Sequence, residues 1–331
     1  MMRVNTLDYH TAGEPLRIVR SGLPEIPGDT MMAKRRYMKN ELDHYRRFLM
    51  LEPRGHADMY GAVLTEPVTA DGDVGVLFMH NEGYSTMCGH GIIAMVTAGL
   101  EHGLFKMADP QAILIDSPAG RITARANLNS DGKTTSISFL NVASFVLEDE
   151  YPVMVDGRDV RVTIAFGGAF YAYVDAELFG FELVPGEAAA LIETGRRIKN
   201  EVNQQCTIRH PEGDEELGFL YGTIFVRKGA AAGQSRNVCV FADGELDRSP
   251  TGTGVSGRAA IHFSRGDIGL QQTLHIESII GTSFSVRCVQ ESVVGDLPAV
   301  IPEVTGSAHI SGENSFYLDA DDPLPDGFFI R

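Results

Sequence analysis

Short β-branched runs separated by polar turns dominate the hydrophobic pattern of this chain, and they predict a strand-rich protein built largely of hairpins. Ile122 to Ala126 and Ser136 to Leu140 flank Ser130-Asp131-Gly132-Lys133, and Val153 to Val155 and Val160 to Phe166 flank Asp156-Gly157. Both Asp-Gly pairs are tight-turn signals. Two stretches carry helical spacing instead. Residues 31 to 50 place Met38, Leu42, Tyr45, Phe48 and Leu49 at helical intervals behind an Asp29 or Thr30 cap, so one face should be buried. The Lys34-Arg35-Arg36 run there is expected to be a solvated face. Residues 186 to 203 read as a second amphipathic helix.

An approximate internal repeat organises these elements. Laying Val74 to Gly91 over Asn237 to Gly254 without gaps pairs Phe78 with Phe241, Glu82 with Glu245, Gly89 with Gly252 and Gly91 with Gly254. Each copy runs from an apolar strand through a polar turn to x-Gly-x-Gly and then to a segment that can be helical. The copies are offset by 163 positions in a chain of 331 residues, a length with room for about two domains. The chain therefore reads as two lobes sharing one plan, with a boundary near residue 148.

Composition narrows the class. Hydrophobic residues are 44% and charged residues 22%, ordinary values for a globular protein. No apolar run approaches the ~20 residues of a bilayer span, and Met1 to Asp8 has no signal-peptide core, so a cytoplasmic protein is expected. The formal charge of −16 disfavours nucleic acid and anionic membranes as partners. It also opposes a small anionic substrate, whose carboxylate would have to be held by local donors. Cys88, Cys206, Cys239 and Cys288 form no Cys-x-x-Cys pair, which suits a reducing compartment, and the ten histidines show no zinc-ligand spacing, so no metal is expected.

The candidate chemistry lies at the two glycine turns. Ser85-Thr86-Met87-Cys88-Gly89-His90-Gly91 precedes the apolar Ile92 to Val96, and Ser85 or Thr86 is expected to cap a helix there. Cys88 would sit at a helix N-terminus, where the dipole and unshared N–H groups lower a thiol pKa from about 8.5. A lone cysteine is more often a buried structural residue, and here position and context favour the reactive reading. In Asp247-Arg248-Ser249-Pro250-Thr251-Gly252-Thr253-Gly254, Ser249 reads as N-cap and Pro250 as the first helical residue, and Thr251 takes the place equivalent to Cys88. If the lobes face each other, N–H groups of Gly89, His90, Gly252 and Thr253 converge to bind a carboxylate.

These two motifs resemble the signature motifs of the proline racemase family. His10-Thr11-Ala12-Gly13-Glu14-Pro15, Glu52-Pro53-Arg54-Gly55-His56 and the ending Asp322-Pro323-Leu324 to Gly327-Phe328 extend the resemblance over essentially the whole chain. The resemblance implies an α+β, diaminopimelate epimerase-like fold of two pseudo-symmetric lobes, each with strands wrapped around a central helix, and an active site in the cleft between them. The N-terminal lobe would span 1–148, with 315–331 returning to it, and the C-terminal lobe 149–314. It further implies a small imino-acid substrate and no cofactor, with substrate contacts from Asp247 and His90 at the ring nitrogen and from His210; a homodimer is left open. Taken alone, Asp247 reads equally as a helix-start cap or a partner of Arg248.

The family's racemases and 2-epimerases carry Cys at both motif positions, and this sequence has Thr251 at the second. Cys followed by Thr resembles members that dehydrate trans-3-hydroxy-L-proline to Δ1-pyrroline-2-carboxylate. A Thr hydroxyl is too weak an acid to alternate between base and proton donor near neutral pH, so a two-base route is lost. Elimination needs one base, Cys88, with Thr251 orienting a group or filling space. The alternatives are a proline racemase or 4-hydroxyproline 2-epimerase and, from other classes, a non-catalytic binding protein or a nicotinamide enzyme. Gly252-Thr253-Gly254-Val255-Ser256-Gly257 satisfies G-x-G-x-x-G, with Glu277 at the expected distance, although the preceding strand ends near Phe241, too far upstream for a dinucleotide turn.

Overall fold

Residues 2–212, 215–229 and 234–330 are described in a computed structural model of the chain. Along the chain run β1 (Met2–Thr11), β2 (Glu14–Ser21), α1 (Met31–Glu41), α2 (Asp43–Met50), β3 (Tyr60–Thr65), β4 (Val74–His80), β5 (Tyr84–Ser85), α3 (Gly89–His102), β6 (Ile113–Ser117), β7 (Gly120–Leu128) and β8 (Thr134–Leu140). There follow β9 (Ser144–Val155), β10 (Arg158–Phe166), β11 (Phe170–Asp175), α4 (Ala188–Gln205), β12 (Leu220–Lys228), β13 (Gln234–Phe241), β14 (Glu245–Leu246), α5 (Gly252–Ser264), β15 (Thr273–Glu277), β16 (Ser283–Val294), β17 (Leu297–Gly306) and β18 (Ala308–Leu318). They form two units, Met1–Phe139 with Ser307–Arg331, and Leu140–Gly306.

Both units use the same strand order. In the first, β1 pairs antiparallel with β2, β2 parallel with β3, β3 antiparallel with β4, β4 with the short β5, β4 parallel with β6, and β6 antiparallel with β7. In the second, β10, β11, β12, β13, β14, β15 and β16 repeat that sequence with identical senses. The final strand, β18, pairs with β1 as β9 pairs with β10. The repeat expected at the glycine turns thus extends to whole-unit topology. In the second unit β17 pairs with both β16 and β9, closing β9, β10, β11, β12, β13, β15, β16 and β17 into a ring.

Each unit wraps its strands around one helix. α3 packs on β1, β2, β3, β7 and β18, and α5 on β9, β10, β13, β16 and β17. Both are buried on every side, over Gly89–Gly99 and Gly252–Ile261. Close approach explains their glycines. A Cβ on Gly91 would lie 2.5 Å from Phe78 Cε1, one on Gly254 2.6 Å from Ile224 Cδ1, and one on Gly257 2.4 Å from the Tyr173 hydroxyl. Further apolar cores involve the other helices, α1 and α2 around Met38, Phe48 and Met79 in the first unit and α4 around Phe145, Phe170 and Phe225 in the second.

The expected hairpin at Asp156-Gly157 forms as a two-residue turn, with Val155 opposite Arg158 and both turn residues at positive φ, 51° and 76°. α4 buries Leu191, Ile198 and Val202 as its spacing requires. The 31–50 segment is capped by Thr30, whose Oγ1 accepts the Ala33 N–H at 3.0 Å. It is two helices rather than one, because Leu42 leaves the helical region (φ −122°, ψ 13°). Met38, Leu42, Phe48 and Leu49 are buried, and Tyr45 is half-buried. The solvated face expected at Lys34-Arg35-Arg36 is a correction: only Arg36 is exposed. Lys34 Nζ donates to Glu66 O at 3.1 Å and Arg35 Nη2 to Tyr84 O at 2.9 Å, since backbone carbonyls next to the helix accept those charges. Among the described residues no helix is long and apolar enough to cross a membrane.

Two segments of the family resemblance meet as scaffold. Arg54 donates to Phe48 O, Asp322 Oδ2 and Leu324 O, its guanidinium lies 4.5 Å from the Phe48 ring centroid, and Glu52 bridges to Phe328. Removing the Arg54 head leaves a carboxylate and carbonyls without their donor. Arg54→Ala should lower unfolding free energy by about 1–3 kcal/mol in a urea titration, and a loss below about 0.5 kcal/mol would show that the terminal segment is held by other contacts.

Candidate active site

At the first glycine turn, β4 and β5 lead into α3, and the residue at the helix start is Cys88 itself. Its backbone is extended (φ −146°, ψ 109°), as an N-cap must be, and its sulfur accepts the Gly91 N–H at 3.3 Å. Neither Ser85 nor Thr86 caps, which corrects that expectation. Ser85 Oγ accepts from the Tyr60 hydroxyl at 2.5 Å instead. His90 Nδ1 lies 3.2 Å from Cys88 Sγ, and His90 O accepts from Thr11 Oγ1 at 2.9 Å. Cys88 is 5% exposed and His90 3%. Cys88, Gly89 and His90 therefore form one compact group, as expected from their adjacency. Tyr60, whose ring meets His90 edge-on at 4.9 Å, and Thr11 were not picked out individually from the sequence. Thr11 belongs to the His10 to Pro15 segment, and that segment was the available signal.

The second turn is built on the same plan with different bonding. α5 begins at Gly252, so Thr251 is the N-cap, and the expected assignment of Ser249 as N-cap and Pro250 as first helical residue is corrected. The equivalence of position 251 to position 88 holds at the level of each helix start. Thr251 has an unusual backbone for a β-branched residue, φ 68° and ψ 101°, and its side chain makes no capping bond. Its hydroxyl instead donates to Asp247 Oδ2 at 2.8 Å, Asp247 Oδ1 accepts the Ser249 N–H at 2.7 Å, and Ser249 Oγ accepts the Thr251 N–H at 3.1 Å. This loop of three bonds holds the strained turn. Ser249, rather than capping the helix, closes the loop.

Two of the remaining candidates lie at that turn. Gly252 and Thr253 supply first-turn N–H groups, which have no acceptor within a helix, and Thr253 Oγ1 bonds the Tyr171 hydroxyl at 2.8 Å. Two turns further into α5, the buried Arg258 donates to Asn237 Oδ1 at 2.7 Å, and burial brings its pKa down to about 10. His210 stands apart from the Asp247 loop. It lies edge-on to Phe145, Phe166 and Phe170, its Nδ1 accepts the Glu212 N–H, and burial lowers its pKa. Of the other thiols, burial pushes Cys288 up to about 11 and raises Cys206.

The dinucleotide fingerprint has a structural explanation that leaves no phosphate turn. β14 intervenes between β13 and α5, Gly254 and Gly257 are packing contacts, and Glu277 is bound by Arg236 at 2.9 Å. Among the described residues no three His, Cys, Asp or Glu side chains are grouped to hold a metal ion.

A family model described as Proline racemase matches residues 6–329. The chain is 47% identical over 333 residues to a trans-3-hydroxy-L-proline dehydratase from Colwellia psychrerythraea, covering 100% of this chain and 93% of that one. It is 45% identical over 328 residues to a trans-3-hydroxy-L-proline dehydratase from Bacillus thuringiensis, covering 98% and 97%. A hydroxyproline epimerase from Agrobacterium vitis, solved with bound trans-4-OH-L-proline, is similar with a TM-score of 0.93 at 30% identity, over 100% of this chain and 95% of that one.

Thr251→Val keeps the shape of the second cap and removes the proton donated to Asp247. It should cost about 1–3 kcal/mol of stability, with Thr251→Ser recovering most of it, as read by thermal melts; an unchanged melt for the valine variant would show that the Asp247 loop does not depend on this hydroxyl.

Proposed function

The chain belongs to the proline racemase family, and on that premise we propose that it removes water from trans-3-hydroxy-L-proline, giving Δ1-pyrroline-2-carboxylate. The supporting observation is the contrast between its two helix starts. Cys88 presents a titratable sulfur that accepts a helix N–H, and a hydrogen bond to sulfur favours its anion. Thr251 presents an alcohol whose proton is committed to Asp247. Racemisation and 2-epimerisation at Cα need an acid and a base on opposite faces; elimination needs one base.

In this reaction the Cys88 thiolate takes the α-hydrogen, and first-turn N–H groups at its own helix start, from Gly89 and His90, hold the substrate carboxylate as charge develops on it. The C3–O bond breaks as the Cα–C3 double bond forms. In the trans isomer the hydroxyl and the α-hydrogen share a ring face, so the new Cys88 thiol can return its proton to the departing hydroxide as water. The enamine then tautomerises to the cyclic imine. Asp247 and His90 serve the ring nitrogen and His210 the substrate side. The matching strand order of the two units fits the diaminopimelate epimerase-like fold, and a sequence without a Cys-x-x-Cys pair fits a cytoplasmic, reducing setting.

Incubation with trans-3-hydroxy-L-proline should yield a product that gives colour with o-aminobenzaldehyde, and an inert substrate would defeat the assignment. Cys88→Ser keeps a competent cap, so it should melt within about 1 kcal/mol of wild type while turnover falls by at least about a thousandfold. Thr251→Cys should introduce measurable exchange of the proline α-hydrogen with deuterated solvent; no exchange would mean that more than this side chain separates elimination from racemisation.

A further inference from the structure

Three features of the first unit converge on the His90 ring. Thr11 Oγ1 fixes its backbone carbonyl at 2.9 Å. The ring itself stands with Nδ1 3.2 Å and Nε2 3.7 Å from Cys88 Sγ, closer to the sulfur than the Gly91 N–H donor at 3.3 Å in the case of Nδ1. On its other side the Tyr60 ring meets it edge-on, with centroids 4.9 Å apart and planes at 74°. Tyr60 is held in turn, stacked on His80 at 5.6 Å and bonded through its hydroxyl to Ser85 Oγ. All of Tyr60, His80, Ser85 and His90 are at most 3% exposed. Such packing holds the imidazole against the sulfur, with both ring nitrogens within 3.7 Å of it.

We infer that Tyr60 is a positioning residue, holding His90 so that Cys88 and His90 share one proton. The thiol proton passes from Sγ to His90 Nδ1, leaving a thiolate beside an imidazolium, and it returns to sulfur by the same path; no bond to carbon and no redox change is involved. His90 is thereby assigned a role toward the cysteine in addition to any contact with substrate. The inference deepens the dehydratase proposal, which requires a thiolate, but its test needs no substrate.

The test is alkylation of Cys88 by iodoacetamide at neutral pH in the full chain, followed by mass spectrometry of the modified peptide. His90→Ala should slow modification about tenfold or more, and Tyr60→Leu, which removes the ring edge, about fivefold. Tyr60→Phe retains the ring and loses only the bond to Ser85, so it should stay within about twofold of wild type and show rescue by the conservative variant. A folded Tyr60→Leu protein alkylated as fast as wild type would overturn the positioning role. If Tyr60→Leu fails to fold, nitrogen NMR of labelled histidine decides: replacing Cys88 by Ser should move the His90 ring resonances, and unchanged resonances would refute the shared proton. Loss of alkylation control with normal dehydration would sink this inference alone, whereas intact control with inert trans-3-hydroxy-L-proline would sink the substrate assignment alone.

Discussion

A helix with no solvent-facing side must have the donors of its first turn answered from within the protein, and this constraint organises both units. α3 and α5 are sheathed by strands, so their opening N–H groups lie at buried residues rather than on a surface helix. At the first start the Cys88 side chain answers one of those donors, whereas at the second the Thr251 side chain makes no capping bond. The same burial dictates glycine where Phe78, Ile224 and Tyr173 press against the helices.

The two starts meet the constraint in different ways. At Cys88 the sulfur itself accepts the helix N–H, with His90 alongside. At Thr251 the side chain turns away from the helix to Asp247, and the backbone is held at positive φ by the Asp247, Ser249 and Thr251 bonds. A thiol is a far stronger acid than an alcohol, and an alcohol donating to a carboxylate is spent as a donor. One duplicated plan thus carries a thiol that accepts a helix N–H in one copy and an alcohol whose proton goes to Asp247 in the other.

The scaffold around the first start is equally dependent on buried polar contacts. Arg35 and Arg46 donate to the carbonyls of Tyr84, His80 and Asn81, fixing the hairpin between β4 and β5 that delivers the Cys88 segment. Arg54 ties the segment after α2 to the terminal residues. Cationic side chains that look solvated in a linear pattern are here donors to backbone carbonyls, so only Arg36 of the Lys34-Arg35-Arg36 run is exposed.

Much of this was legible from the residues. The repeat at x-Gly-x-Gly, the amphipathic spacing of α4, the Asp156-Gly157 turn and the Cys88 and Thr251 correspondence all follow from local pattern, because spacing and turn chemistry act over a few residues. Which residue caps each helix was not: Ser249-Pro250 is a sound start signal, yet Asp247 captures Ser249 and Thr251 in a loop that delays the helix to Gly252. Nor could spacing reveal that Tyr60, thirty positions before His90, orients its ring, or that β17 closes the second ring of strands onto β9. The sequence determined the chemistry available, a thiol in one copy and an alcohol in the other; only tertiary structure decided what each is bonded to, because those partners are brought together by strand pairing and burial over distances that local pattern does not encode.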